Sequence, residues 1–514
     1  MPTGSRRYPN LYKDSVSLMT VSARVTSIPG VEAASVVMAS ATNVDNLAQA
    51  GLGQFDVRAN DLIVAVSGSQ EACDEALAVA DKLLSASPGD GGEPSATAPI
   101  TSIQMAVAKD PALNLALISV PGDYAAAEAM KALRLGLDVM VFSDNVSADA
   151  ELALKEYARD NDLMVMGPDC GTAIVNGVPL GFANVVRRGP IGVVGASGTG
   201  TQEVTVRIHQ NGSGVSHALG TGGHDLADAI GGISMLHGLS ALDSDPATTV
   251  IVLVSKPPAP AVAAKVLAAA EDSEKPVVVI FLGADPASVA RDGVYGAATL
   301  AQAADIAAEL ARGEQPNPGD FTVPPEMSRT LGDLAAAMAP SQRYVRGVFS
   351  GGTFCYEAQL MHQAHGVHAH SNTPVAGNTA LADIRTSREH TIVDMGDDEF
   401  TRGKPHPMID PSQKDARIRD EIADPTTAVV LFDVVLGYGS ADDPTKELIP
   451  IISSARAEGS TVAFIGYVCG TELDPQDRAN AVAGLQSAGA LVASSNAEAA
   501  LWSATVIAAR GGDR

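Results

Sequence analysis

The chain has 514 residues, 46% of them hydrophobic but only 4% aromatic, and its formal net charge is −26. That length exceeds what one core serves and predicts about three to four domains of α/β type, built from Val/Ile strands and Ala-rich helices. Acidic residues spread along the chain predict a soluble protein and argue against nucleic acid or an anionic membrane as partner.

The N-terminus has no apolar leader, and no apolar run approaches the ~18–20 residues of a membrane helix. Cys73, Cys170, Cys355 and Cys469 are scattered without a CxxC pair. Together these features predict a cytoplasmic protein with reduced thiols, without a disulfide frame or a zinc site.

In chain order, residues 1–99 are expected to form a small ferredoxin-like module. Its helices fall at Ser15 to Ser27, Asn43 to Ala50 and Gln70 to Leu84, and its strands at Val31 to Ala39 and Asp61 to Ser67. A Pro/Gly-rich stretch, Ser85 to Pro99, marks a boundary or mobile loop. Residues 100–188 read as a shortened Rossmann-like, CoA-binding-like domain with strands at Leu113 to Val120, Asp138 to Phe142 and Leu163 to Met166. The loop after its first strand lacks GxGxxG. Residues 189–313 read as a flavodoxin-like domain with strands at Ile191 to Gly195, Gly214 to Leu219, Thr249 to Ser255 and Pro276 to Leu282. A proline-rich linker is expected over 314–342. A second flavodoxin-like domain, 343–514, follows with strands at Tyr344 to Phe349, Thr391 to Asp394, Ala428 to Val435 and Thr461 to Tyr467, and a closing helix near Ala497 to Ala509.

Two stretches about 150 residues apart repeat one pattern of strand, small-residue loop and helix. The first carries Ser197, Gly198, Thr199, Gly200 and Thr201 with Glu203 in the helix, and the second carries Ser350, Gly351, Gly352 and Thr353 with Glu357. Such loops leave backbone N–H groups at the positive end of a helix dipole, a seat for phosphate or carboxylate. Capping alone also uses Ser and Gly, but five small residues in a row exceed that need. The pair is expected to face one anionic ligand.

The run Gly220-Thr221-Gly222-Gly223-His224-Asp225 allows close backbone approach at Gly222 and Gly223. His224 can donate to an anion or act as acid or base, and it can equally be a plain loop residue. Cys170-Gly171-Thr172 and Cys469-Gly470-Thr471 echo each other, with small-residue packing favoured over a reactive thiol. The acidic turn Asp394 to Glu399 can hold Mg²⁺ through water or be an exposed turn. Arg402, Lys404 and His406 beside it supply local cations in an acidic chain. His362, His365, His368 and His370 read as a solvated helix-and-loop run rather than as zinc ligands.

The order Gly167-Pro168-Asp169-Cys170, Gly195 to Glu203 and Gly220-Thr221-Gly222-Gly223 resembles the succinyl-CoA synthetase α-subunit. Over nearly its full length the chain resembles the FdrA family. That match adds Leu253 to Pro258, Phe349 to Glu357, His406 to Asp410 and Asp433 to Gly439. The resemblance implies a Rossmann-like domain followed by two ligase-type flavodoxin-like domains, with the Ser197 and Ser350 loops as twin phosphoryl cradles and Glu203 near the transferred group. The chain departs from that pattern in three places. The stretch Gly293-Val294-Tyr295-Gly296 lacks the family's phosphohistidine, the Rossmann-like half lacks a CoA phosphate loop, and no ATP-grasp segment is evident.

FdrA-type proteins are associated with oxamate carbamoyltransferase of allantoin breakdown, which splits oxalurate with phosphate into oxamate and carbamoyl phosphate. The resemblance therefore implies a subunit of a hetero-oligomer, with Glu203, His224 and Lys256 as catalytic candidates and a small anion as substrate. No cofactor is assigned with certainty; CoA and Mg²⁺ are the candidates. Alternatives are an acyl-CoA ligase with a nucleotide-binding partner, or a scaffold that binds an acyl phosphate.

Overall fold

The computed structural model describes all residues except 1, 12, 14, 56, 59, 86–99, 318–320, 403 and 512–514. Most of the expected Ser85 to Pro99 boundary lies outside the described residues.

The N-terminal module runs β1 (Thr3–Tyr8), α1 (Ser15–Thr26), β2 (Val31–Met38), α2 (Ala41–Gln49), β3 (Leu62–Gly68) and α3 (Gln70–Ser85). Its antiparallel sheet has the order β1-β3-β2, with the apolar β3 central and covered by α1 and α3. Sequence reasoning misses β1, whose residues TGSRRY are largely exposed and carry no apolar alternation.

The Rossmann-like half follows as α4 (Ile103–Lys109), β4 (Leu115–Ile118), α5 (Gly122–Arg134), β5 (Asp138–Val141), α6 (Ala148–Asp160) and β6 (Val165–Met166). Its three strands are parallel, so the loops carrying Pro121, Asp144 and Asp169 gather at one sheet end.

The first large sheet contains β7 (Thr172–Val175), β8 (Val178–Gly181), β9 (Arg188–Gly195), β10 (Val215–Gly220), β11 (Val250–Ser255), β12 (Val277–Phe281) and β13 (Val294–Gly296). Its helices are α7 (Gly198–Gln210), α8 (Ile233–Ser244), α9 (Pro260–Glu271), α10 (Pro286–Val289) and α11 (Leu300–Ala311). Strands β9 to β13 are parallel, while the β7–β8 hairpin adds an antiparallel edge through Ile174 and Ala218. The hairpin precedes residue 189, so this sheet begins upstream of the point where the βα alternation restarts in sequence. It turns on Asn176-Gly177, both at positive φ, a hairpin signal that sequence reading passed over.

Within the stretch expected as a linker, Pro325 opens helix α12 (Pro325–Ala337), which buries Leu331 and Ala335. The last domain runs β14 (Tyr344–Phe349), α13 (Gly352–Ala364), β15 (His370–Ser371), β16 (Thr379–Ala380), β17 (Thr391–Asp394), α14 (Asp398–Thr401), α15 (Ser412–Ala423) and β18 (Thr427–Val435). It closes with α16 (Leu448–Ala457), β19 (Ala463–Cys469), α17 (Arg478–Ala488), β20 (Leu491–Ala493) and α18 (Asn496–Ala509). Its seven strands are all parallel, with β14 and β18 at the centre.

One hydrophobic cluster crosses from Val193 and Val204 through Leu300 and Ala304 to Phe354, Ala358 and Trp502, joining the two ligase-type domains into a shared core. Polar bonds reinforce this junction. Asn184 donates to Leu436 O and to Asp474, Val185 N donates to Asp474, and Thr471 Oγ1 donates to Val185 O at 2.6 Å. Among the described residues no helix is long and apolar enough to cross a membrane.

Candidate anion-binding site

Strands β9 and β14 end at Gly195 and Phe349, and helices α7 and α13 begin three residues later, at Gly198 and Gly352. The two loops therefore match residue for residue, with Ser197 facing Gly351 in the alignment and Thr199 facing Thr353. The structure brings them into direct contact: Ser197 Oγ lies 2.6 Å from Thr353 Oγ1. The reciprocal positions also adjoin, since a Cβ on Gly351 would fall 3.0 Å from Thr199 Oγ1. A glycine at 351 is what lets the second loop approach the first.

Ser197 also caps α7 by accepting from Gly200 N at 3.1 Å, and Thr201 Oγ1 donates to Ser197 O at 2.7 Å. Gly198 is exposed and Thr199 half-buried, so this loop opens to solvent. Among the described residues, the N–H groups of Ser197, Gly198 and Thr199 have no protein partner. The second loop is different. Ser350 N and Gly351 N both donate to the Asp433 carboxylate, at 2.8 Å in each case. Asp433 in turn meets Lys414 Nζ at 3.1 Å.

Further groups gather where the domains meet. The side chain of Asp394, at the end of β17, stands at the N-terminus of α13, where its Oδ2 would lie 2.5 Å from a Cβ on Gly352. Burial pushes its carboxyl up to about 7, against the pull of Lys256. Lys256 follows β11, with its Nζ 5.6 Å from the ring centre of Tyr356. Across the crevice, desolvation and then Asp144 push Asp169 up to about 6, while His224 and Lys256 oppose this. His406 packs against Phe182 with ring centres 5.9 Å apart, and burial holds it down at about 4.

Of the remaining sequence candidates, Glu203 is fully covered, with Oε1 accepting from Asn496 N at 3.0 Å. Burial and the neighbouring Glu357 raise its pKa well above the carboxylate range. A carboxyl sealed in this way touches no ligand in this conformation. His224 is 74% exposed with Nδ1 3.7 Å from Glu151 Oε2. Gly222 is committed to packing: at φ +85°, any Cβ would strike the Pro168 carbonyl. Gly223 lies beside Asp169, its Cβ position 3.8 Å from Oδ2.

Sequence reasoning missed Lys155, which is wholly buried. It bonds Glu151 at 2.7 Å, Asp225 at 2.8 Å and Thr221 O at 3.0 Å, and so fixes the Gly220 to Asp225 loop to α6. A lysine within the α6 pattern carries no sequence signal for this. Asp433 stands out in the sequence only through its motif, because a strand carboxylate gives no hint of its partner.

The expected solvated histidine run is corrected at His362, which is buried with Nε2 3.0 Å from Ser503 Oγ and Nδ1 2.7 Å from Ala358 O. Cys170, Cys355 and Cys469 are buried, and desolvation raises each thiol, Cys170 to about 12. Packing, not nucleophilicity, fits them.

The acidic turn does not fit Mg²⁺: Asp394 Oδ1 accepts from Gly396 N, and Asp397 Oδ1 caps Glu399 N. No group of three metal-ligating side chains forms among the described residues. The strand ends of the Rossmann-like half do not suit CoA phosphates either, since the carboxylates of Asp144 and Asp169 converge there.

Three family models match the chain: "AllF, heavy metal-associated domain" over residues 1–99, "CoA binding domain" over 186–283 and "CoA-ligase" over 348–506. The CoA-binding match thus falls on the first large sheet and shares only residues 186–188 with the Rossmann-like half. The uncharacterised protein YahF of Escherichia coli K12 is 44% identical over 502 residues, covering 96% of each chain. The succinate–CoA ligase α-subunit of Aquifex aeolicus is 28% identical over 33% of this chain and 56% of its own length. The malate–CoA ligase α-subunit of Methylorubrum extorquens is 26% identical over 49% of this chain and 86% of its own. Among solved structures, ATP citrate lyase of Methanothrix soehngenii with citrate and coenzyme A aligns at 20% identity and a TM-score of 0.35, over 45% of each chain. On these matches the chain belongs to the FdrA-like family of the succinyl-CoA synthetase superfamily.

Proposed function

We propose that this chain is the anion-binding subunit of a phosphate-dependent enzyme, specifically an FdrA-type oxamate carbamoyltransferase that works with further subunits in the cytoplasm. The observation that carries the reading is the 2.6 Å contact between Ser197 and Thr353, which sets two helix N-termini side by side, with Lys256 over Tyr356 of α13. Phosphate held on the free N–H groups of Ser197, Gly198 and Thr199 needs neither a phosphohistidine nor a nucleotide to react. One phosphate oxygen attacks the carbamoyl carbon of oxalurate, and the C–N bond to the oxamate nitrogen breaks. That nitrogen takes a proton, and the carbamoyl group leaves on phosphate.

Lys256 is suited to stabilising the developing oxyanion, and exposed His224 is the second candidate. Asp394, at about 7 and beside Lys256, is suited to giving the proton to the leaving nitrogen. Glu203 belongs under this site as a positioning residue. The AllF-type match of residues 1–99 supports the allantoin setting.

Acyl-CoA ligation is the second reading, favoured by the CoA-binding and CoA-ligase matches. Titration calorimetry with phosphate, carbamoyl phosphate and CoA separates the two. Binding of the first two without CoA supports carbamoyl transfer, and tight CoA binding without phosphate overturns it. Ser197→Ala with Thr199→Ala should weaken phosphate by about tenfold or more, because the lost α7 cap and the lost Ser197–Thr353 bond are what hold the N–H groups in place.

A further inference from the structure

The two loops are siblings in sequence but not in occupancy. In the first repeat, Val254 of β11 stands opposite Gly195, and its carbonyl accepts from Ala196 N at 2.8 Å. In the second, Phe432 of β18 stands opposite Val348, which puts Asp433 opposite Phe349, the place Val254 holds in the first. The same position is thus a hydrocarbon in one repeat and a carboxylate in the other. That carboxylate accepts from Ser350 N at 2.8 and 3.0 Å and from Gly351 N at 2.8 Å.

Solvent access follows the same division at the helix starts: Gly198 is exposed and Thr199 half-buried, whereas their counterparts Gly352 and Thr353 are half-buried and buried. Ser350 is 3% exposed and Asp433 is fully covered, so no water reaches N–H groups that would otherwise be orphaned. Leaving a buried donor unmade costs about 1–3 kcal/mol, which a fixed anion avoids. Lys414, also buried, neutralises the charge, its Nζ donating to Asp433 O at 2.6 Å and meeting Oδ1 at 3.1 Å. A second carboxyl, Asp394, stands at the same helix end. The α7 end carries no acidic residue in its loop, and its Gly198 is open to solvent. Matched position for position, Asp433 takes Gly351 N, the counterpart of the open Ser197 N, and Asp394 stands over Gly352, the counterpart of Gly198.

We infer that Asp433 is an internal anion that keeps the second helix-end cradle filled, so that the chain takes one exogenous oxyanion, at the Ser197–Thr199 loop, and not two. The location of the exogenous anion rests on the function proposed above; the filling of the second cradle does not. Asp433 then acts as a specificity-determining residue. It turns a nearly symmetric pair of sites into one that binds phosphate in a single orientation, with the rest of the crevice left to the carbon substrate.

The test is the number and place of oxyanions on the full chain. By equilibrium dialysis with labelled inorganic phosphate, Asp433→Ala should gain about one phosphate per chain over the native protein, because Lys414 and two freed N–H groups remain. An Asp433→Ala protein that folds and gains none overturns the inference.

Should that variant not fold, native crystals soaked in arsenate decide the matter. Arsenic on Ser197–Thr199 alone supports the inference, and arsenic on Ser350 and Gly351 with Asp433 displaced overturns it. Arsenic in neither place, with Asp433 still on Ser350 and Gly351, overturns the phosphate reading of the first loop and supports the filling of the second.

Discussion

Glu203 and Glu357 hold the sixth position of α7 and α13, and both lean on Asn496. Its backbone N–H donates to Glu203 Oε1 at 3.0 Å, and its Nδ2 donates to Glu357 Oε2 at 2.8 Å. Leu300 N adds a bond to Glu357 at 3.0 Å, while Glu203 Oε2 has no partner among the described residues. Burial raises both carboxyls above 4.5, their ordinary value. The folded protein therefore holds protons that the unfolded chain releases, and stability should fall as pH rises above about 4.5. In Glu203→Gln the neutral amide removes that term, so a plot of Tm against pH should be flatter than for the native protein. Parallel curves would refute a protonated Glu203.

The Ser197–Thr353 bond spans 156 positions and is buried. Ser197→Ala removes this bond together with the α7 cap and should cost about 1–2 kcal/mol in urea unfolding. Thr353→Val removes only the bond. A double-mutant cycle should give a coupling of about 0.5–1.5 kcal/mol, and additivity within error would mean the loops are not energetically joined.

Lys155 sits between Glu151 and Asp225 with no exposure. Lys155→Met leaves two buried carboxylates without a cation and should destabilise by about 3–5 kcal/mol. Adding Asp225→Asn should recover part of that loss. If the single variant melts like the native protein, the network is not holding the Gly220 to Asp225 loop.

Burial raises the carboxyl of Asp394, at the neighbouring α13 end, to about 7. Below that pH it is neutral, and above it a negative charge develops one loop away from the proposed anion, so phosphate affinity should fall as pH rises through about 7. Phosphate's own ionisation is common to native protein and Asp394→Asn and cancels when the two are compared. The difference between their binding curves should grow above pH 7, and a constant difference would place Asp394 away from the anion.

Gly222 combines φ +85° with contact to the Pro168 carbonyl. Gly222→Ala should cost about 1–3 kcal/mol through backbone strain and push the loop that carries His224 off Pro168. Gly293, also at positive φ but with no atom within 4 Å of a Cβ, is the control, and Gly293→Ala should cost less.

The large parallel strands were legible because fully buried strands read as continuous Val/Ile runs, as in β11 and β12, where every residue is buried. The two loops were legible because small residues after such runs have few other uses. Beyond these, the sequence was silent for physical reasons. The β7–β8 hairpin has strands of only four residues, with β8 half-covered, and β1 lies at a sheet edge with exposed arginines. Helix α12 hid behind prolines that start it and do not interrupt it. Within the site, Ser197, Thr353 and Lys256 could be named from pattern alone. The occupant of the second loop could not, because Asp433 lies 83 residues from Ser350 and only strand register brings them together.

The meeting of Ser197 with Thr353 occurs inside one polypeptide. A pair of separate chains would lose such an encounter on dilution and would depend on matched expression of both. Here the tether holds the local concentration of one loop about the other high at any protein level. Damage to either lobe is then suffered, and can be compensated, only within the same molecule.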